Sequence, residues 1–331
     1  MNIGIIGLGH IATTMARTIK RLKNEDIRLY AVASRTALKA KRFAKRFGVD
    51  VHYGSYEELF NDPKVDLVYV ATPHALHFEY AVQAIKAHKP VIIEKPITTD
   101  FSRGELLFKE AEKERVFIAE AMWTRYMPSR KIIQDTIDSG IIGKVVSIRA
   151  DLSYAIEYKK RMLDPSLGGG ALLDLGVYPL NFACMFIKDD PLSINASCTY
   201  TNNHLDETDT FALSFPNNVI AELSCSMRSF SDKRGIIQGT DGHIEVDNIN
   251  NPQAIRIFNN KQKQLKKIKI QELVSGYEYE LLECEKALKE GKLEPPSMPS
   301  SESLRMLKIY DDIRTKLGIV YPFDSKEHLF K

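Results

Sequence analysis

Asn2-Ile3-Gly4-Ile5-Ile6-Gly7-Leu8-Gly9-His10-Ile11-Ala12 opens the chain and decides its fold class. Asn2 to Ile6 is a short β-branched run, and Ile11 to Leu22 carries apolar residues at helical spacing. Between them, Gly7 to Ala12 is the G-x-G-x-x-A form of the dinucleotide fingerprint. Gly7 would make the tight turn, Gly9 would let the backbone approach a pyrophosphate, and Ala12 is small enough for close helix–strand packing. The helix N-terminus then offers free N–H groups and a positive dipole end to the anion. By itself the motif is weak, and a plain glycine turn is the alternative. Its weight comes from the strand–turn–helix context and from the series that follows.

That series alternates strand and helix. Ile27 to Ser34 reads as a strand, Ala37 to Phe47 and Tyr56 to Phe60 as helices, and Leu67 to Ala71 as a strand buried on both faces. His77 to Ala87 is helical, Pro90 to Ile93 a buried strand stopped by Pro96, Arg103 to Glu114 helical, and Phe117 to Ala121 a sixth strand. Strict βαβ alternation predicts an α/β class fold with a Rossmann-type doubly wound parallel sheet. After Trp123 the pattern changes. A helix over Met127 to Ser139 and a strand over Val145 to Tyr154 precede a helix running through Met185. Successive strands follow at Ser193–Tyr200, Asp209–Phe215, Val219–Ser226, Arg234–Gly239, His243–Asp247 and Ala254–Asn259, with Asn217-Asn218 and Asp241-Gly242 as hairpin turns. Glu278–Glu290 and Ser301–Leu317 are closing helices. The expectation is a dinucleotide-binding domain over 1–121 and an α+β domain with a mostly antiparallel open sheet over 122–331, serving substrate binding and oligomerisation.

The 331 residues fit two domains. A formal net charge of +3 spread along the chain gives no ground for a nucleic-acid or membrane partner. The densest basic runs, Lys39 to Arg46 and Lys261 to Lys269, lack interleaved aromatics for stacking bases and read as solvated faces. Cys184, Cys198, Cys225 and Cys284 are far apart and suit buried thiols in a reducing compartment. No run approaches 18 consecutive apolar residues, and the N-terminal apolar run enters a glycine turn, so the expected location is cytoplasmic.

Three further segments carry chemistry. At the end of the second strand an acidic residue would bind a ribose 2′-hydroxyl and repel a 2′-phosphate. This chain has Ser34-Arg35-Thr36 there, two hydroxyls and a guanidinium that suit a phosphate. The expected cofactor is NADP, with NAD as the alternative if Arg35 is only a surface charge. Glu94-Lys95-Pro96 ends a strand at the carboxyl edge of the sheet, where ligands of doubly wound folds bind. Beside a cationic nicotinamide the charge of Lys95 would be disfavoured. Gly168-Gly169-Gly170 then leads into Asp174 and Tyr178, four residues apart and on one face of a helix. The glycines allow close backbone approach to a ligand, and a carboxylate with a phenol can bind and deprotonate an alcohol. A helix N-terminal charge and a packing tyrosine are the alternative.

Together these residues resemble the Gfo/Idh/MocA family of dehydrogenases over nearly the whole chain. The marks are the fingerprint at 7–12, Ala71-Thr72-Pro73 followed by His74 and His77, Glu94-Lys95-Pro96, and the segment ending in Asp174 and Tyr178. Many members carry histidine where this chain has Tyr178. The tyrosine, with Glu120 to Pro128, resembles the branch of the dimeric trans-dihydrodiol dehydrogenases and glucose-fructose oxidoreductase, which uses NADP. The resemblance implies that Lys95 anchors and polarises the reacting hydroxyl, that Tyr178 is the general acid/base, and that Asp174 binds a substrate hydroxyl or orients the pair. It further implies that Ala71, Thr72, Pro73, His74, His77, Glu94, Trp123 and Arg125 line the cofactor crevice, and that the open sheet makes a homodimer or homotetramer. The substrate is expected to be a small sugar, polyol or dihydrodiol. A metal at His74 and His77 is not expected, since no carboxylate or cysteine set completes a ligand group. The competing class is a non-catalytic NADP-binding regulator on the same fold, which would have no need of Lys95 and Tyr178.

Overall fold

The computed structural model describes residues 1–23, 26–271 and 273–324. The chain gathers into two compact units, Met1–Tyr126 with Glu272–Leu307, and Met127–Gln271 with Lys308–Lys331. The return of a late segment to the first unit is a feature that a single boundary at 121/122 does not express.

The first unit is built on six parallel strands, β1 (Asn2–Ile6), β2 (Arg28–Ala33), β3 (Val51–Tyr53), β4 (Leu67–Val70), β5 (Val91–Glu94) and β6 (Ile118–Ala121), in the order β3-β2-β1-β4-β5-β6. The order reverses at β1/β4, which opens a crevice at the carboxyl ends of the strands. The crossovers are α1 (His10–Leu22), α2 (Ala37–Phe47), α3 (Tyr56–Phe60), α4 (His77–Lys86) and α5 (Phe101–Glu114). β4 and β5 are buried at every residue, which is why they read as unbroken apolar runs. β3 escapes sequence reading because it has three residues, none of them fully buried.

The second unit begins with α6 (Pro128–Asp138) and β7 (Val145–Ser153). A π-helical turn, Leu172–Gly176, runs directly into α7 (Val177–Phe186). There follow β8 (Ser193–Tyr200), β9 (Asp206–Phe215), β10 (Val219–Ser226), β11 (Gly235–Gly239), β12 (Gly242–Val246), β13 (Ala254–Asn259) and β14 (Gln264–Lys269). These strands form one eight-stranded sheet, β14-β13-β12-β11-β7-β10-β9-β8, antiparallel except for β7 beside β10. Asn217 and Asn218 both take left-handed backbone (φ 60° and 59°) in the β9–β10 hairpin, the geometry that asparagine tolerates. Within the basic run at Lys261 to Lys269 lies β14, an edge strand with mostly exposed side chains; lysines there discourage pairing with another edge.

One face of this sheet packs on α7 and the π-turn. Inward residues alternate along each strand, as with Ile148, Ala150 and Leu152 on β7 and Ala221, Leu223 and Cys225 on β10. Only Phe186 of α7 is not buried. The helical stretch Pro165–Phe186 is long and apolar enough to cross a membrane, but every residue of 168–185 is buried inside the fold, which marks a core helix. Consecutive apolar counting passed over it because Asp174, Asn181 and glycines interrupt the run.

Two helices close the chain, α8 (Glu278–Lys289) and α9 (Ser300–Leu317). Leu281, Cys284 and Ala287 of α8 join the first unit's core with Ile3, Met15, Ala16 and Ile19.

Candidate active site

At the start of α1, Gly7 has φ +79°, and a Cβ there would lie 2.6 Å from the backbone of Ala71 and Thr72. Its glycine is therefore required by the end of β4 and by the turn itself. Gly9 N–H donates to the Gly7 carbonyl at 2.7 Å, and a Cβ on Gly9 would meet nothing nearer than 3.9 Å. No side chain caps α1 and its first turn holds no acidic residue. Its leading amides thus fit a bound phosphate anion. Ala12 and Leu8 are buried, Ile11 is half-buried and His10 is exposed.

Beyond β2, Ser34 is buried while Arg35 and Thr36 are exposed. Burial raises the Tyr56 and Tyr80 hydroxyls above the usual phenol range, and the Arg35 charge opposes that rise in both. Arg35 therefore stands near a Tyr56–Tyr80 pair whose rings meet edge to face at 4.7 Å. Sequence reading found the arginine and missed the two tyrosines, which come from different helices.

His77 is fully buried. Its Nδ1 meets the Pro96 carbonyl at 2.8 Å and its Nε2 the Thr72 carbonyl at 2.9 Å. Burial pushes the imidazole down to about 4, and the Lys95 charge adds to that; the two carbonyls pull the other way without prevailing. Neutral His77 has one N–H and can donate to only one of the two carbonyls, so it ties either the turn Ala71-Thr72-Pro73 or the turn Lys95-Pro96 by a hydrogen bond and packs its other nitrogen against the second, rather than standing as an open ligand contact. Thr72 Oγ1 is buried with no hydrogen-bond partner among the described residues, an atom suited to a bound ligand. His74 is half-buried, its ring 5.7 Å from that of His77.

Glu94 ends β5 and accepts from the Tyr69 hydroxyl. The Lys95–Pro96 peptide is cis, and Lys95 is 7% exposed. Glu120 on β6 is buried and accepts from Ile97 N–H at 3.1 Å; burial raises its carboxyl above the usual range, opposed by Ser303, the Ile97 amide, Arg125 and Lys95. Trp123 is stacked on Tyr277 at 4.2 Å, and Arg125 is 1% exposed with Nη1 donating to Glu302 at 2.8 Å. Both expected crevice residues are therefore enclosed by the returning segment, whose Tyr277 and Glu302 no local sequence signal identifies.

In the second unit, Asp174 lies within the π-turn and Tyr178 in the first turn of α7, each less than a tenth exposed. π-turns inside helices recur at functional sites. Asp174 accepts two parallel bonds from Arg161, 3.0 Å to Oδ1 and 2.9 Å to Oδ2. Such a fork fixes both the charge and the orientation of the carboxylate. The glycines before it have a different use from the one expected. A Cβ on Gly169 would strike the Arg161 and Met162 carbonyls at 2.8 and 2.7 Å, and one on Gly170 would strike Asp206 at 2.3 Å. They admit the Arg161 loop and a buried carboxylate against the segment that carries Asp174 and Tyr178.

Residues 1–121 match a family profile described as an oxidoreductase family with an NAD-binding Rossmann fold, and residues 131–245 match the GFO/IDH/MocA C-terminal domain. The trans-1,2-dihydrobenzene-1,2-diol dehydrogenase of Xenopus laevis is 31% identical over 325 residues, spanning 96% of this chain and 98% of that one. The enzyme of the same name from Mus musculus is 29% identical, with 98% of each chain covered. Among solved structures, a 3-ketoreductase from Actinomadura kijaniata in complex with NADP and TDP-benzene superposes with a TM-score of 0.85 at 26% identity, covering 96% of this chain and 97% of that one. An aldose-aldose oxidoreductase from Caulobacter crescentus shares the fold, with a TM-score of 0.86 at 23% identity and the same coverage of each chain.

Proposed function

The chain belongs to the Gfo/Idh/MocA oxidoreductases and is an NAD(P)-dependent dehydrogenase, and from that premise we propose that it moves hydride between NADP and the CH–OH or C=O carbon of a sugar, polyol or dihydrodiol. The nicotinamide, when bound, supplies the hydride acceptor or donor. The carrying observation is that the chain keeps both a nearly buried lysine at the carboxyl edge of the Rossmann sheet and, four residues apart, a carboxylate in the π-turn and a phenol in the first turn of α7. Lys95 holds and polarises the reacting oxygen. Tyr178 is the general acid/base that takes or returns the proton of the reacting hydroxyl. Asp174, oriented by Arg161, receives a neighbouring substrate hydroxyl. A vicinal diol or sugar offers one hydroxyl to react and another to be held, which fits the substrates named for the dihydrodiol dehydrogenase relatives.

Arg35 reads the 2′-phosphate of NADP. Four cysteines present as thiols suit a cytoplasmic setting. The exposed face of the second unit's sheet pairs two or four copies. A screen of sugars, polyols and dihydrodiols, followed by NADPH absorbance in both directions, tests the activity. Turnover of a vicinal diol or sugar hydroxyl with NADP⁺, or of the matching carbonyl with NADPH, is expected; no turnover of any class, with the cofactor bound, would sink this reading.

A further inference from the structure

We propose that Asp206 and Asp209 share a single proton in the folded protein and that this pair positions the segment bearing Asp174 and Tyr178. The proposal rests on the reading of those two residues given above.

Asp206 and Asp209 are three apart on β9, so a regular strand would point them to opposite faces. The β8–β9 ladder is irregular here: Thr199 pairs with Thr208, but Tyr200 pairs with Asp206, passing over Glu207. That bulge turns both carboxyls into the core, where each residue is 0% exposed. Asp206 Oδ2 accepts the N–H of Leu172, the first residue of the π-turn. Its Oδ1 lies where a side chain on Gly170 would be, so the carboxylate sits directly on the backbone leading to Asp174. Asp209 Oδ2 accepts from the Cys225 thiol at 3.3 Å. The remaining oxygen of each, Oδ1, is buried with no partner among the described residues unless the two carboxyls bond to each other.

Two carboxylates enclosed in an apolar core cannot both ionise, and two carboxyl oxygens can bond only through a proton. One shared proton removes one charge and gives each Oδ1 a partner. Asp206, which receives backbone amide, is the ionised member. Asp209 is the donor, its carboxyl held well above the usual range by burial and by the Asp206 charge. The facing groups do not neutralise the pair. Cys225 on β10 and Cys198 on β8 are both raised by burial, and Tyr200, Asp151 and Tyr321 bring no positive charge. Arg314 acts on Tyr321 and is tied to Asp324 at 3.2 Å. The result is a fixed anion at the head of the reactive segment, where unpaired amides favour one. Asp206 and Asp209 are positioning residues, since neither is placed to touch substrate.

The test uses the full chain. Denaturant unfolding of wild type and Asp209→Asn is followed from mildly acidic to mildly alkaline pH. A carboxyl that keeps its proton folded and releases it unfolded makes wild-type stability fall as pH rises, above the ordinary carboxylate range and up to its raised folded value. The amide has no such proton. The ratio of the two folding equilibrium constants is therefore expected to move about tenfold per pH unit in favour of the variant. A ratio independent of pH overturns the shared proton. In kinetics, Asp206→Asn is expected to lower kcat about tenfold or more, the cost of a charge-assisted bond that orders a segment, with NADP affinity unchanged. Asp209→Asn, which keeps a neutral donor, loses much less. Equal losses overturn the assignment of the anion to Asp206. Should Asp206→Asn fail to fold, the pH-dependent ratio and the loss of a protonated-carboxyl infrared band in Asp209→Asn decide. Those two readouts need no substrate, so the pair and the proposed chemistry fail separately.

Discussion

Single residues divide the proposed labour in ways that substitution can separate. Arg35 is exposed at the end of β2 and Lys95 is nearly buried at the end of β5, so cofactor choice and chemistry should respond to different changes. Arg35→Asp should reverse a preference for NADP into one for NAD, because a carboxylate accepts from a 2′-hydroxyl and repels a 2′-phosphate. Fluorescence titration of both nucleotides into both proteins measures this, and equal wild-type affinities would remove the premise. Lys95→Ala and Tyr178→Phe should each lower kcat by about 10²–10⁴-fold, the worth of general acid–base help, while NADP still binds. Non-additive losses are expected on the proposed reading, in which both residues serve one proton transfer. A Tyr178→Phe enzyme that keeps most of its rate would move the acid/base role elsewhere. His77 makes a prediction in pH. Its folded value near 4 lies below the ordinary 6.5, so the unfolded chain binds the extra proton first as pH falls. Its contribution is complete above pH 6.5 and is lost on descent toward 4, worth roughly 3 kcal/mol at most. His77→Gln should flatten that part of the stability–pH curve; parallel curves for the two proteins would show that His77 is not buried neutral.

At the scale of elements, the reactive segment depends on how closely other backbone can approach it. Gly170 has φ +107°, a region other residues avoid, and its missing Cβ is the space Asp206 occupies. Gly170→Ala should therefore cost roughly 3 kcal/mol or more, combining backbone strain with displacement of a buried carboxylate. Gly140, also left-handed but with nothing within 4 Å, should lose less on the same change. Thermal or denaturant unfolding of the two variants compares them directly, and equal costs would place the whole effect in the backbone. The three glycines were visible in the sequence as a sign of close approach, but what approaches was not. Arg161, Met162 and Asp206 come from a loop and a strand whose pairing is set by tertiary packing. The π-turn was equally hidden, since Asp174 and Tyr178 are four apart in either helix type. By contrast the strands β4 and β5 and the fingerprint turn were legible, because apolar runs and glycine spacing are local signals. β14 was missed because its apolar content is too low for a strand pattern, its lysines reflecting an exposed edge.

At the scale of the whole molecule, the large sheet has one face covered by α7 and another open. The expectation of association through that open face came from the resemblance, and the structure gives the face a mixed character. An 870 Å³ groove over it is lined by Arg149, Glu222, Arg234, Thr210, Ala212 and Ile236 among others, with Arg149 and Glu222 paired at 2.9 Å. Apolar side chains stand on the same face as well: Ile220 of β10 is 47% exposed and Ile236 of β11 is half-buried. A purely solvated sheet face has no use for these, whereas interfaces combine apolar contacts with a polar, wet remainder. A single chain cannot display which surface meets a second copy, so period-two alternation located the face and left its occupant open. We expect a dimer or tetramer at micromolar concentration through this face. The discriminating variant is Ile236→Lys, which adds a charge at a half-buried position of the groove without touching the inward core. Light scattering should report an assembly for the wild type and a monomer of unchanged circular dichroism for the variant. A wild-type monomer would remove the proposal, and an assembled Ile236→Lys protein would place the interface on another surface.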